Sequence, residues 1–206
     1  MIVIIDYGMG NSGSIRNMIK KVGGESVISA DPDTIAGADK LILPGVGHYA
    51  RAMQNIDERG FRSILDRKVL EEKTPILGIC LGMQLMTETS EEGNGKGLGW
   101  FKATTRRFRP EQFNRPLRVP QMGWNLANVC KPSPIFDDDG LEEHRYYFVH
   151  AYAVACEDEN DVLCTSSYGY SFVSGFSRDN IIGVQFHPEK SHLFGMSLIR
   201  RFVERY

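Results

Sequence analysis

The 206-residue sequence has no apolar run near the roughly 18 residues that a membrane-spanning helix needs. Residues 1–6 carry neither a basic leader nor a small-residue cleavage site, and read as a buried strand rather than a signal peptide. Excess charge is lacking too: 24 Lys and Arg against 26 Asp and Glu leave a net charge of −2, which argues against a nucleic-acid or membrane-surface binder. Of the four cysteines, Cys80, Cys130, Cys156 and Cys164, no two stand at the spacing of a zinc site or a disulfide framework. A reducing, cytoplasmic compartment is expected on that ground. Repeats, low-complexity tracts and linker-like stretches are missing, and the length suits a single domain over 1–206.

What is present is an alternation of short apolar runs and amphipathic stretches. Residues 2–6, 25–29, 40–43 and 75–80 have the continuous apolar character of strands buried on both faces. Helical spacing runs through Ile15, Met18, Ile19 and Val22, over 50–70 with a break near Gly60, and over 81–89. From residue 98 onward, aromatic-rich segments at 100–108, 146–154, 162–168, 172–176 and 181–186 suit antiparallel strands, and a last helix spans about 193–203. The pattern predicts an α/β fold: a mainly parallel central sheet with helices on both faces, plus antiparallel strands in the second half. The basic stretch Arg106, Arg107, Arg109, Arg115 and Arg118 reads as a solvated face, with a partner surface as the alternative, and residues 137–139 as a surface turn.

The chemistry concentrates at Gly78-Ile79-Cys80-Leu81-Gly82, where a strand runs into a nucleophilic side chain flanked by two glycines. This is the nucleophile-elbow pattern: the turn is sharp enough that side chains at the glycine positions would clash, and the nucleophile is held strained at the strand tip. A helix starting at Leu81 would direct its positive end at the sulfur and favour thiolate, and the Leu81 amide could donate to an oxyanion. The bland alternative is a small buried hydrophobe, the usual fate of a free cysteine.

A base is supplied by His187, where Pro188 fixes a turn that can bring the Glu189 carboxylate against the imidazole. Among the other histidines, His48 follows a glycine turn, His150 suits a core position, and His144 and His192 suit the surface. The turn Pro44-Gly45-Val46-Gly47 follows a strand, and in a parallel sheet would lie at the same edge as the elbow. Its glycines let backbone amides approach a ligand, so Gly45, Val46 and Gly47 are candidates to complete an oxyanion hole with Leu81.

Together, and in this chain order, the elbow, His187-Pro188-Glu189 and the 44–47 turn resemble the class I (triad) glutamine amidotransferases, whose sheet is flavodoxin-like. The resemblance implies Cys80 as nucleophile, His187 as acid and base, and Glu189 as the orienting carboxylate. It further implies that Gln84 and Glu92 hold the α-groups of L-glutamine, with no cofactor and no metal. Within the class, residues 6–11, 44–48, 120–125 and 146–150 are most similar to the glutaminase subunits of imidazole glycerol phosphate synthase. That likeness implies a heterodimer with a (β/α)8-barrel cyclase, an ammonia channel between them, and a partner-facing surface including Asn11, Met122, Trp124, Tyr147 and Lys190. Low basal activity is expected until the partner is liganded, through reorientation of the 45–47 backbone. Gln121, Ala151 and Ser12-Gly13 depart from the family pattern. A paralogous group that feeds ammonia to sugar amidation in surface-polysaccharide synthesis is the alternative, and residues 191–195 could suit it.

Three rivals remain open at this level. Gly8, Gly10 and Gly13 match the G-x-G-x-x-G loop of dinucleotide-binding proteins, with Asp31 near the distance of the ribose-binding acid. A cysteine hydrolase acting on other amides or esters would use the same elbow. A non-catalytic regulatory subunit would keep the fold without needing the triad.

Overall fold

The computed structural model describes residues 1–137 and 140–206. Of the acidic run, Asp137 closes a turn, and Asp138 and Asp139 lie outside the described residues. The first half alternates strand and helix: β1 (Ile2–Ile5), α1 (Ser12–Lys21), β2 (Ser26–Ser29), α2 (Pro32–Ala36), β3 (Lys40–Leu43), α3 (Tyr49–Glu58), α4 (Phe61–Asp66), β4 (Ile76–Ile79) and α5 (Leu81–Leu85). The second half is strand-rich: β5 (Thr87–Ser90), β6 (Gly95–Lys96), β7 (Phe101–Arg107), β8 (Gln121–Leu126), β9 (Asn128–Val129), β10 (Arg145–His150), β11 (Tyr152–Cys156), β12 (Val162–Tyr168), β13 (Tyr170–Arg178), β14 (Ile181–Val184), then α6 (His192–Arg205).

The main sheet runs β2-β1-β3-β4-β14-β13-β11-β7-β5-β6, and its first five strands are mutually parallel. Successive side chains of a strand point to opposite faces, so a strand covered on both sides must be apolar throughout. In β1, Val3 and Ile5 pack under α3 and α4 with Tyr49, Ile56 and Phe61. Ile2 and Ile4 pack on the other face under α1 and α6 with Ile15, Ile19, Leu198 and Phe202. The expected architecture is therefore the observed one. β8 and β10 form a separate antiparallel ribbon.

Three local readings are corrected. The segment 181–186 suits an antiparallel strand by its sequence, and β14 does pair antiparallel with β13, but on its other side it pairs parallel with β4. Its four residues are all buried, the mark of a sheet interior. The helix expected over 81–89 stops at Leu85, because the β-branched Thr87 and Thr89 pair with β7 as strand β5. The segment 146–154 is two strands, β10 and β11, in different sheets. Among the described residues, no helix is long and apolar enough to cross a membrane.

Candidate active site

Parallel strands end at one edge, and β4 lies between β3 and β14, so the loops that follow these three strands meet there. Cys80 leaves β4 at φ 54° and ψ −110°, a conformation that L-residues rarely adopt. Close approach dictates the flanking glycines. A Cβ on Gly82 would lie 1.8 Å from the Leu43 carbonyl oxygen, and one on Gly78 would lie 2.7 Å from Met86 Cε and 2.9 Å from the Met83 nitrogen. The Cys80 amide donates to the Val184 carbonyl at 2.8 Å, which ties the elbow to β14.

His187 lies beyond β14 on the same edge. Its Nδ1 is 2.8 Å from Glu189 Oε1, and both side chains are almost fully buried. The other ring nitrogen is left free of Glu189, and Cys80 and His187 line one cavity. Burial pulls the imidazole pKa down, but the hydrogen bonds and charges of Cys80 and Glu189 outweigh it and raise it from 6.5 to about 10. Glu189 Oε2 is buried without a hydrogen-bond partner, so the imidazolium is what compensates this carboxylate. The loop is pinned from the ribbon: the His187 amide donates to the Tyr147 carbonyl at 2.9 Å, and Ser191 Oγ donates to the His187 carbonyl at 2.6 Å.

Here the expectation about the helix changes. α5 has only five residues. A helix terminus contributes roughly 0.3–1 kcal/mol at a nearby charge. The helix contribution expected at the sulfur is therefore small.

The four candidates for the oxyanion hole, Gly45, Val46, Gly47 and Leu81, do come together, but the hole is closed. The Leu81 amide donates to the Gly45 carbonyl at 3.3 Å, so that carbonyl occupies the donor expected to be free. Gly47 has φ +111°, and a Cβ on Gly45 would lie 2.7 Å from the Gly82 nitrogen and 2.8 Å from Tyr7 Oη. Tyr7, buried beneath, donates to the Pro44 carbonyl at 2.7 Å.

A cavity of about 420 Å³ opens over the sulfur, walled by Cys80, His187, Gln84, Glu92, Val46 and His150 among others. Gln84 and Glu92 line the same cavity as Cys80 and His187. Glu92 also accepts from the Tyr49 amide at 2.8 Å. His150 is the core histidine expected and a cavity wall as well: burial, with His187 opposite, holds its pKa at about 4, while its Nδ1 is 2.7 Å from the Tyr152 carbonyl. Gln185 and Tyr7 have no role assigned from the sequence, and Gln121 is noted there only as a departure from the family pattern. Gln185 follows the last residue of β14, two positions before His187, so its nearness to the base was legible as a short sequence separation.

Of the expected partner-facing residues, Met122 is 65% and Trp124 44% exposed, Lys190 is exposed at the cavity rim, and Asn11 and Tyr147 are half-buried. Trp124 lies opposite Tyr147 across the ribbon, with ring centroids 6.1 Å apart edge to face, and stacks on His192 at 5.6 Å. The dinucleotide reading fails on its acid: Asp31 caps α2, accepting from the Thr34 amide at 2.8 Å and its hydroxyl at 2.6 Å. Gly10 instead allows close packing on Pro44, whose Cβ would lie 2.9 Å from an added Cβ, so the glycine loop buttresses the 44–47 turn.

Comparison with known proteins agrees with this geometry. A full-length relative from Methanococcus maripaludis, described as imidazole glycerol phosphate synthase subunit HisH 2, is 51% identical, with all of both chains covered. One of the same description from Pseudomonas aeruginosa is 43% identical, covering 99% of each chain. A crystal structure described as a glutamine amidotransferase superposes with a TM-score of 0.74 at 21% identity, covering 99% of this chain and 98% of that one, and shows the fold. The sequence profile of the family described as "Glutamine amidotransferase class-I" matches residues 3–205. This chain therefore belongs to the class I glutamine amidotransferase family.

Proposed function

We propose that the chain is the glutaminase subunit of an imidazole glycerol phosphate synthase, hydrolysing L-glutamine and delivering ammonia to a (β/α)8-barrel cyclase partner in histidine biosynthesis. The observation that carries this reading is the buried Cys80–His187–Glu189 constellation, opening onto a cavity that also presents Gln84 and Glu92. The names of the full-length relatives support the histidine-pathway partner over the sugar-amidation paralogue.

In this mechanism the Cys80 thiolate attacks the glutamine side-chain carbonyl carbon, forming the C–S bond and placing charge on the oxygen. His187 gives its proton to the departing nitrogen as the C–N bond breaks, releasing ammonia and leaving a thioester. The now neutral imidazole takes a proton from water, the resulting hydroxide attacks the thioester, and glutamate leaves as the thiolate is restored. Glu189 holds the ring tautomer throughout. The oxyanion needs the Leu81 amide, which is free only if the Gly45 carbonyl turns away. Rotation of the 45–47 turn on partner liganding would therefore switch the enzyme on, consistent with the closed donor set.

The test is Cys80→Ala in the complex. Glutamine hydrolysis is expected to vanish, while the partner still forms product from added ammonia. Glutamine turnover that survives the substitution removes the assignment.

A further inference from the structure

We infer that Gln185 is a positioning residue for the nucleophile: its carboxamide donates a hydrogen bond to the Cys80 sulfur while accepting one from Gln84, fixing the sulfur relative to the side chain expected to hold the substrate. The inference rests on Cys80 being the nucleophile of the proposed glutaminase.

The orientation of both amides follows from the acceptors around them. The Tyr152 carbonyl can only accept, so the group of Gln84 that faces it at 3.2 Å is Nε2. The second hydrogen of that nitrogen points to Gln185, 2.9 Å away, where only Oε1 can receive it. Gln185 Nε2 is then turned to Cys80 Sγ, at 3.6 Å, a normal distance for an N–H donor to sulfur. Gln185 is completely buried, and its amide nitrogen donates to the Ser174 carbonyl at 2.9 Å, so it sits on a fixed backbone. A buried carboxamide costs stability unless both ends are satisfied, and here one of its two partners is the sulfur itself. The same Tyr152 carbonyl is contacted by His150 Nδ1, and His150 Nε2 lies 3.1 Å from the Gln121 side chain on β8. The sulfur is thus the end of a chain of polar contacts that begins on the exposed ribbon.

A donor to sulfur is worth most when the sulfur is negative, and hydrogen bonds to charged groups are about twice as strong as neutral ones. A side chain that only fills space would not distinguish thiol from thiolate. The experiment uses the complex with its partner subunit and compares Gln185→Met and Gln185→Glu with the parent. Turnover gives kcat and KM for glutamine, and iodoacetamide alkylation of Cys80 is followed by peptide mass analysis across pH. Gln185→Met is expected to lower kcat by about 10- to 100-fold, the value of one hydrogen bond to a charged group, with KM little changed. Its Cys80 alkylation profile should move to higher pH. Gln185→Glu, closer in shape, should lose more, because an ionised carboxylate repels a thiolate and cannot donate to it. Parental kcat and alkylation profile in Gln185→Met, or better turnover in Gln185→Glu than in Gln185→Met, overturns the inference. Because Gln185→Glu keeps the volume, it decides the matter if Gln185→Met does not fold: parental kcat and alkylation profile in Gln185→Glu then overturn the inference, and a lowered kcat with alkylation moved to higher pH supports it. Failure of the nucleophile assignment itself would show separately, as activity surviving Cys80→Ala.

Discussion

His187 sits between two groups that favour its positive form, and its pH behaviour follows from that position. Its folded-state pKa of about 10 lies above the ordinary 6.5. The imidazolium pair therefore contributes stability fully below pH 6.5, and the contribution is lost as pH rises through about 10. The same proton is the one given to the departing nitrogen, so glutamine turnover in the partner complex should fall along an alkaline limb near pH 10. Glu189→Gln removes one of the groups that raise the imidazole pKa and frees the tautomer. Its alkaline limb should move to lower pH, and kcat should fall on the order of 10²–10⁴-fold, the usual worth of a positioned acid–base group. A pH–rate profile identical to the parent would contradict the ion-pair reading. Cys156 and Cys164 have thiols pushed up to about 12 by burial; at Cys156 the Asp161 charge adds to this, against the pull of Lys131 and Arg178. Their environment suits the bland role of a small hydrophobe.

At the scale of elements, the site depends on how closely β3, β4 and α5 approach. Gly82→Ala would put a methyl group 1.8 Å from the Leu43 carbonyl oxygen, a backbone atom that cannot move without shifting β3. Loss of soluble protein, or destabilisation beyond the roughly 1–3 kcal/mol of ordinary overpacking, is expected in thermal melts. Gly13→Ala is the matched control. It sits in the first turn of α1 with nothing within 4 Å of the added methyl, and should be neutral or stabilising by about 0.4–1 kcal/mol. Two glycines read from the sequence as site-forming motifs thus separate sharply once their neighbours are known. The early strands β1 to β4 were legible because burial on both faces leaves continuous apolar runs. The ribbon strand β8 was not read as a strand, because its alternation puts Met122, Trp124 and Leu126 outward, where a monomer's strand is usually polar.

Over the whole molecule, that outward face is the one the proposed function gives to the cyclase partner. The exposed Met122 and Trp124 lie on the ribbon whose other strand carries Tyr147, and the Tyr147 carbonyl holds the His187 amide. A partner seated on the ribbon would press on the loop that carries the base. Trp124→Ala is expected to weaken binding to the cyclase subunit by about 2 kcal/mol or more, as loss of an aromatic anchor does. The isolated subunit should melt nearly unchanged, since the ring is already 44% exposed. Titration calorimetry against the partner and a thermal scan of the subunit alone read the two effects. Parental affinity would place the interface elsewhere.

The early strands β1 to β4, the elbow, the proline turn after His187 and the acid two residues on were determined by the sequence alone, because each rests on local sterics: glycines where a chain must turn tightly, apolar residues where two faces are covered. Only the tertiary structure decided which groups meet. It set β14 beside β4, gave the Leu81 amide to the Gly45 carbonyl, and brought Gln185 to the sulfur across 105 residues of chain. These contacts depend on distances between segments far apart in sequence, which local spacing does not encode.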